Sequence, residues 1–194
     1  MNQENELSRD ELLEELRRNL NVSSLSNTFE NFKNQPGTAA ALRAFKAIAE
    51  GTAPPLLLCH GVTGNGKTYL MEALVIELYK QRKFIRLLTG FDFLSVLKNC
   101  MEPGHIPPYE AQMRYIMQET RMLVDDLGAG TMDSKWAWSV WEEIISYRYA
   151  HRLLTVVTTN MDFSQLPERI QSRFSDKEFA VTVLNKGSDY RRRK

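Results

Sequence analysis

The stretch Gly61-Val62-Thr63-Gly64-Asn65-Gly66-Lys67-Thr68, followed by Tyr69, has the residue types and the spacing GxxxxGK[ST] of a phosphate-holding loop. Glycines let a backbone wrap so that successive N–H groups point inward at an anion, and a helix starting there adds its positive dipole end. Lys67 can then reach β- and γ-phosphates as a point charge, and Thr68 can offer its hydroxyl to Mg²⁺. A plain glycine-rich strand-to-helix turn shares part of this pattern, and the flanks argue against it. Leu56, Leu57, Leu58 and Cys59 run apolar into the loop, and TYLMEALVIELYKQ leaves it with Leu70, Leu74 and Leu78 at helical spacing. A second chemical element lies further on, where Met122, Leu123 and Val124 end in Asp125 and Asp126. Parallel strands collect their ends at one edge, so Asp125 can face the loop and hold Mg²⁺ through water. Asp126 is then placed to orient or deprotonate an attacking water. A solvated turn after a strand is the alternative for this pair. Thr158, Thr159 and Asn160 close another apolar run, where an amide can bond the γ-phosphate or the attacking water. PERIQSRF carries Arg169 and Arg173 one helical turn apart, and SDYR carries Arg191.

The elements that must position these residues alternate between strand and helix. LLLCH, FIRLLT, RMLVDD, LLTVVTTN and FAVTVL read as strands. Helices are expected in TAAALRAFKAIAEG, closed by Gly51, in the segment after the loop, in FDFLSVLKNC, in YEAQMRYIMQE and in DSKWAWSVWEEIISYRYAH. MEPGHIPPY is loop. Such alternation indicates an α/β fold with a parallel sheet covered on both faces. Ahead of it, Leu7 to Leu20 reads as an amphipathic helix with a Ser8–Glu11 capping box and a Glu14–Arg18 spacing suited to an i,i+4 ion pair. NVSSLSNT then breaks helicity, which divides the chain into an N-terminal helix and linker over 1–26 and a catalytic domain over 27–194.

Composition bounds the rest. The 194 residues are 43% hydrophobic and 25% charged, which suits one domain with a sizeable core. No apolar run approaches twenty residues, and the polar N-terminus has no secretory h-region, so the expectation is a cytoplasmic protein with no membrane partner. Cys59 and Cys100 form no CxxC, and His60, His105 and His151 lack metal-ligand spacing. A net charge of +1 means that any nucleic-acid contact needs a local basic patch.

The ordered series TFENF, GVTGNGKT, LVDDLG, VTTN, PERIQSRF and SDYR resembles the AAA+ ATPases of the DnaC/DnaI helicase-loader and IstB family, from about Thr28 to Arg191. The resemblance implies a P-loop NTPase (ASCE/AAA+) three-layer sandwich whose five-stranded parallel sheet has the order 5-1-4-3-2, with no C-terminal helical lid. It implies ATP and Mg²⁺ as cofactors, Lys67 and Thr68 as Walker A, Asp125 and Asp126 as Walker B, and Asn160 as sensor 1. Arg173 resembles the arginine finger and Arg191 the sensor 2 arginine. The TFENF stretch, with Phe29, resembles the segment near the nucleotide base. Without a lid, the nucleotide is expected to be open on one side until another subunit covers it, so intrinsic hydrolysis should be weak and assembly should activate it.

The implied function is that of a helicase loader, assembling with ATP as a homo-oligomer on single-stranded DNA and delivering a replicative helicase. Lys98, Arg114, Tyr109 and Tyr115 around MEPGHIPPY are candidate DNA contacts, with Lys80, Arg82 and Lys83 as a further basic cluster. Three other readings share the loop: an IstB-like transposition helper, a small P-loop kinase, and a nucleotide-binding scaffold that rarely hydrolyses. The kinase reading needs an acceptor pocket and an arginine-rich lid, which VTTN and PERIQSRF do not supply.

Overall fold

Five short apolar runs, each bounded by turn residues, hydrogen-bond side by side as one parallel sheet in the order β2-β3-β4-β1-β5. The computed structural model describes residues 8–83, 85, 87–129 and 134–190. The strands are β1 (Leu56–His60), β2 (Leu88–Thr89), β3 (Arg121–Asp125), β4 (Leu154–Thr159) and β5 (Ala180–Leu184). Read from the other edge, this is the expected order 5-1-4-3-2. The helices are α1 (Arg9–Leu20), α2 (Ala39–Glu50), α3 (Lys67–Lys80), α4 (Gly90–Asn99), α5 (Tyr109–Gln118), α6 (Lys135–Ala150) and α7 (Glu168–Phe174). β2 is shorter than the run FIRLLT suggests; Phe84 and Arg86 of that run lie outside the described residues.

Strand periodicity sorts the core into two faces. Leu56, Leu58, Val124 and Val157 pack with α4, α5, α6 and α7 around the fully buried Trp141. Leu57, Cys59, Leu123 and Val156 face the opposite way, onto α2 and α3. Because all the pairings are parallel, the loops that follow β1, β3 and β4 emerge at one edge of the sheet. Arg148 of α6 fastens that layer: it is fully buried and donates to Thr155 Oγ1 and to the carbonyls of Ile116, Met117, Glu119 and Leu154. Burial brings its pKa down to about 10, which leaves it a cation at neutral pH.

The N-terminal helix begins with the expected capping box between Ser8 and Glu11. Its ion pair differs from expectation. Glu14 pairs with Arg17, not Arg18: the carboxylate takes both Nε at 2.9 Å and Nη2 at 2.5 Å, while Nη1 of Arg17 caps Val22 O at 3.2 Å. Spacings i+3 and i+4 share a helix face, and here the two-pronged grip at i+3 wins. Past the helix, NVSSLSNT holds no regular structure yet is anchored. Glu72 of α3, itself buried, accepts from Ser23 N–H, Ser23 Oγ and Asn27 Nδ2, while Asn21 Nδ2 donates to Leu87 O. Leu20, with 0% exposure, and Val22 belong to the same apolar cluster as α2 and α3. Leu20→Ala should therefore cost roughly 2–5 kcal/mol, read as a lower urea midpoint at unchanged slope. A variant as stable as the parent would mean that α1 leaves the domain in solution.

Candidate functional site

The loop between β1 and α3 is held in shape by its own side chains. Gly66 caps α3 at φ 95°, a left-handed conformation that glycine adopts without steric cost. Gly64 also has positive φ, and a Cβ there would collide with the Asp189 carboxylate. Lys67 is 5% exposed, and its ammonium donates to Gly61 O at 2.7 Å, Val62 O at 2.9 Å and Asn65 Oδ1 at 3.2 Å. Burial holds its pKa below the ordinary lysine value. Asn65 in turn exchanges bonds with Asn185, Nδ2 to O in both directions, which ties the loop to the segment after β5.

Facing the loop are the ends of β3 and β4. Asp125 is 7% exposed and is gripped on both oxygens: Thr68 Oγ1 donates to Oδ2 at 2.6 Å, and Thr158 Oγ1 donates to Oδ1. The Thr158 hydroxyl also accepts from Asp126 N–H at 3.0 Å. Asp126 turns the chain out of β3 with φ 57°, a left-handed value that aspartate tolerates better than most residues. Its carboxylate accepts from Asn160 Nδ2 at 2.7 Å. Burial first, and the charge of Asp125 second, push its pKa above the ordinary aspartate value.

Between these elements lies a cavity of about 900 Å³, large enough for a nucleotide. Its walls include Thr63 to Tyr69, Asp125, Asp126, Thr158 and Asn160, so most of the expected site residues share one space. Gly61 and Val62 precede that wall, and Val62 points largely to solvent. Phe29 does not line the cavity but is buried in the core with α2 and α3; Phe32, the second phenylalanine of TFENF, lines it instead and packs on Tyr69 at 5.4 Å between ring centroids. Arg173 sits on α7 away from its own chain's cavity, with its guanidinium 5.1 Å from the centre of the Tyr149 ring. Lys98 on α4 and Arg114 on α5 are exposed and are not among its lining residues. Arg191 lies outside the described residues.

Thr158, whose hydroxyl joins the Asp125 carboxylate to the Asp126 N–H, carries no role in the sequence reading; two threonines before Asn160 at a strand end were the available signal. Tyr190, whose N–H donates to Gly64 O at 2.9 Å, and Gln35 also line the cavity, and neither carried any sequence signal.

The donor set at the mouth of the cavity is all oxygen: one carboxylate and one hydroxyl already in contact. That suits a small hard cation which keeps its remaining ligands from water and phosphate. Among the described residues, no group of three or more His, Cys, Asp or Glu could hold a metal alone. The arrangement can therefore bind a polyphosphate through the loop, share a cation with it, and present Asp126 and Asn160 to a water beside the terminal phosphate.

Comparison with known proteins adds the relatives. A family model described as IstB-like ATP binding protein matches residues 4–187. Chromosomal replication initiator protein DnaA of Methylacidiphilum infernorum (isolate V4) is 32% identical over 105 residues, covering 52% of this chain and 22% of that protein. A crystal structure of DnaI is 26% identical with a TM-score of 0.66, over 82% of this chain and 91% of that one. The DnaC helicase loader is 22% identical with a TM-score of 0.65, over 82% and 97%. Replication initiator DnaA bound to AMPPCP and single-stranded DNA is 19% identical with a TM-score of 0.69, over 84% of this chain and 50% of that one. At those last two identities the likeness speaks for the fold. The chain spans about half the length of the DnaA structure and about a fifth of the curated DnaA.

Proposed function

The chain belongs to the IstB-like ATP-binding protein family, and on that premise we propose that it is a DNA-replication ATPase of the helicase-loader type. It assembles with ATP on single-stranded DNA and helps to deliver a replicative helicase. The observation that carries the reading is the bonded series Thr68–Asp125–Thr158 beside Asp126–Asn160, set across one cavity from the phosphate loop. A nucleotide-binding scaffold would need only the loop; the Asp126–Asn160 pair is what hydrolysis adds.

In this reading the loop amides and Lys67 hold the β- and γ-phosphates, the lysine exchanging neutral loop carbonyls for charged oxygens. Thr68 and Asp125 hold Mg²⁺, which when bound neutralises charge on the phosphate oxygens. Asp126 accepts a proton from the attacking water, and Asn160 fixes the direction of that carboxylate. Arg173 serves as an arginine finger toward a neighbouring copy, since it does not face the cavity of its own chain. Arg191 is proposed as the sensor 2 residue on resemblance alone. Hydrolysis is then slow in the monomer and rises on assembly, as a cation supplied in trans contributes on the order of 10³–10⁵ in kcat. No helix of the described residues is long and apolar enough to cross a membrane; the cytoplasmic site of action belongs to the same proposal and rests on the likeness to replication proteins.

The DNA contact is assigned to α4 and α5. Lys98, Arg114 and Tyr115 are exposed there, beside the exposed Phe91, Val96, Met101 and Ile106. Positive charge beside flat side chains is what a single strand requires. Lys98→Ala combined with Arg114→Ala should weaken single-strand binding roughly tenfold in low salt and flatten its salt dependence, with ATP affinity unchanged. Fluorescence anisotropy on a labelled oligonucleotide measures this, and unaltered DNA affinity would remove the face from the assignment. The family match also favours a second reading, a transposition helper acting on duplex DNA. Affinity capture with ATP present separates the two: a hexameric helicase supports the first and a transposase the second.

A further inference from the structure

Arg173, a half-buried cation in the last turn of α7, is held through its face. Its guanidinium lies 5.1 Å from the centre of the Tyr149 ring, close enough for the ring to attract the charge. Its Nε is buried without a hydrogen-bond partner, and among the described residues no carboxylate pairs with it. A carboxylate nevertheless follows in the chain. Asp176 comes three residues after Arg173, a separation at which helical ion pairs form. Both of its oxygens are engaged elsewhere: Oδ2 accepts from the Tyr149 hydroxyl at 2.5 Å, and Oδ1 accepts from Glu178 N–H at 3.0 Å. The bond between them holds the Asp176 carboxyl below its ordinary range and the Tyr149 phenol above its own. At neutral pH a neutral phenol therefore donates to a charged carboxylate. The Tyr149 ring is itself braced: Phe179 meets it edge-on at 5.9 Å between centroids, and Arg152 covers Phe179 at 4.3 Å.

We propose that Tyr149 is a positioning residue for Arg173: its ring supports the guanidinium face, and its hydroxyl occupies the carboxylate that would otherwise pair with the arginine. The inference rests on the reading of Arg173 as an arginine finger and extends it to how the finger is kept available. A guanidinium bound through its face keeps its N–H edge for oxygens. One locked to a carboxylate must first break that pair to reach a phosphate. A ring beneath the long side chain also removes rotamers that would otherwise be lost when the finger engages. Both effects act where one chain's arginine meets another chain's triphosphate. Neither Tyr149 nor Asp176 lines the cavity of the chain that carries it.

Removing one oxygen separates this role from a structural one. Steady-state ATP turnover, at high protein concentration with single-stranded DNA and Mg²⁺, would compare the parent with Arg173→Ala, Tyr149→Phe, Asp176→Asn and the last two combined. Tyr149→Phe keeps the ring but frees Asp176 to pair with Arg173, and should lower kcat roughly fivefold at unchanged KM. Adding Asp176→Asn removes the competing charge and should restore kcat to the parent level, which Asp176→Asn alone should also show. Arg173→Ala should lose on the order of 10³-fold. If Tyr149→Phe turns over like the parent while Arg173→Ala does not, the finger stands and the role of Tyr149 falls. If Tyr149→Phe is slow and Asp176→Asn does not restore it, the tyrosine acts through the packing of α6 on α7, and the proposal fails. If Arg173→Ala itself turns over like the parent, the arginine-finger reading falls first and takes this one with it.

Discussion

Lys67→Ala should abolish measurable ATP binding, raising Kd by at least about 100-fold, while the protein stays folded. The size follows from the chemistry of the contact. An ammonium hydrogen-bonded to phosphate contributes roughly 1.5–3 kcal/mol per charge-assisted bond, and Lys67 has three donors already directed into the loop. Two such bonds to phosphate correspond to more than two decades in Kd. The folded state loses little in exchange. Burial disfavours the lysine cation, as its lowered pKa records, so deleting it relieves that cost while it frees Gly61 O, Val62 O and Asn65 Oδ1. These effects oppose each other, and the melting temperature should shift by only a few degrees. Calorimetric titration with ATP and Mg²⁺, beside a thermal melt, measures both. A well-folded Lys67→Ala protein that takes up ATP as the parent does would overturn the assignment of the phosphate loop, and with it every role given to Asp125, Asp126 and Asn160.

What the sequence reveals about this site depends on how local each feature is. The apolar run into Gly61 and the run ending in Asp125 are short continuous patterns, and each determines both a strand and the residue at its end. Their meeting follows from parallel pairing alone, through β4 lying between β1 and β3. The base end of the cavity has no such shortcut. Residues 21–38 form neither helix nor strand before Ala39, so no period says which phenylalanine of TFENF turns inward. Phe29 goes to the core and Phe32 to the cavity. Glu72 looks like an ordinary polar helix position, yet it is the anchor for Ser23 and Asn27. Tyr190 reaches Gly64 only because β5 lies beside β1 in register, with Leu184 opposite His60, so that both chains leave the sheet together. Pairings of that kind are properties of the assembled sheet, and a linear reading has no handle on them.

Asp126→Asn should leave ATP binding intact and reduce turnover by roughly 10²–10⁴-fold. The two carboxylates are adjacent in sequence but held differently. Asp125 accepts from the hydroxyls of both Thr68 and Thr158 and is assigned to the cation in this proposal, whereas Asp126, among the described residues, takes its side-chain hydrogen bond from Asn160 and is assigned to the water. Asparagine preserves the shape, tolerates the left-handed backbone at φ 57°, and still offers an oxygen to Asn160. It removes only the negative charge and the capacity to take a proton. The same substitution should raise the melting temperature in magnesium-free buffer. Burial and the neighbouring Asp125 both disfavour the ionised carboxyl in the folded chain, so neutralising it relieves strain that the active protein carries at its reactive end. Single-turnover hydrolysis, nucleotide titration and thermal melts on one preparation give the three readouts together. Wild-type turnover in Asp126→Asn would take this residue out of the chemistry. Lost ATP binding would instead mean that the two aspartates hold the cation jointly, and the base would then have to be sought elsewhere around the cavity.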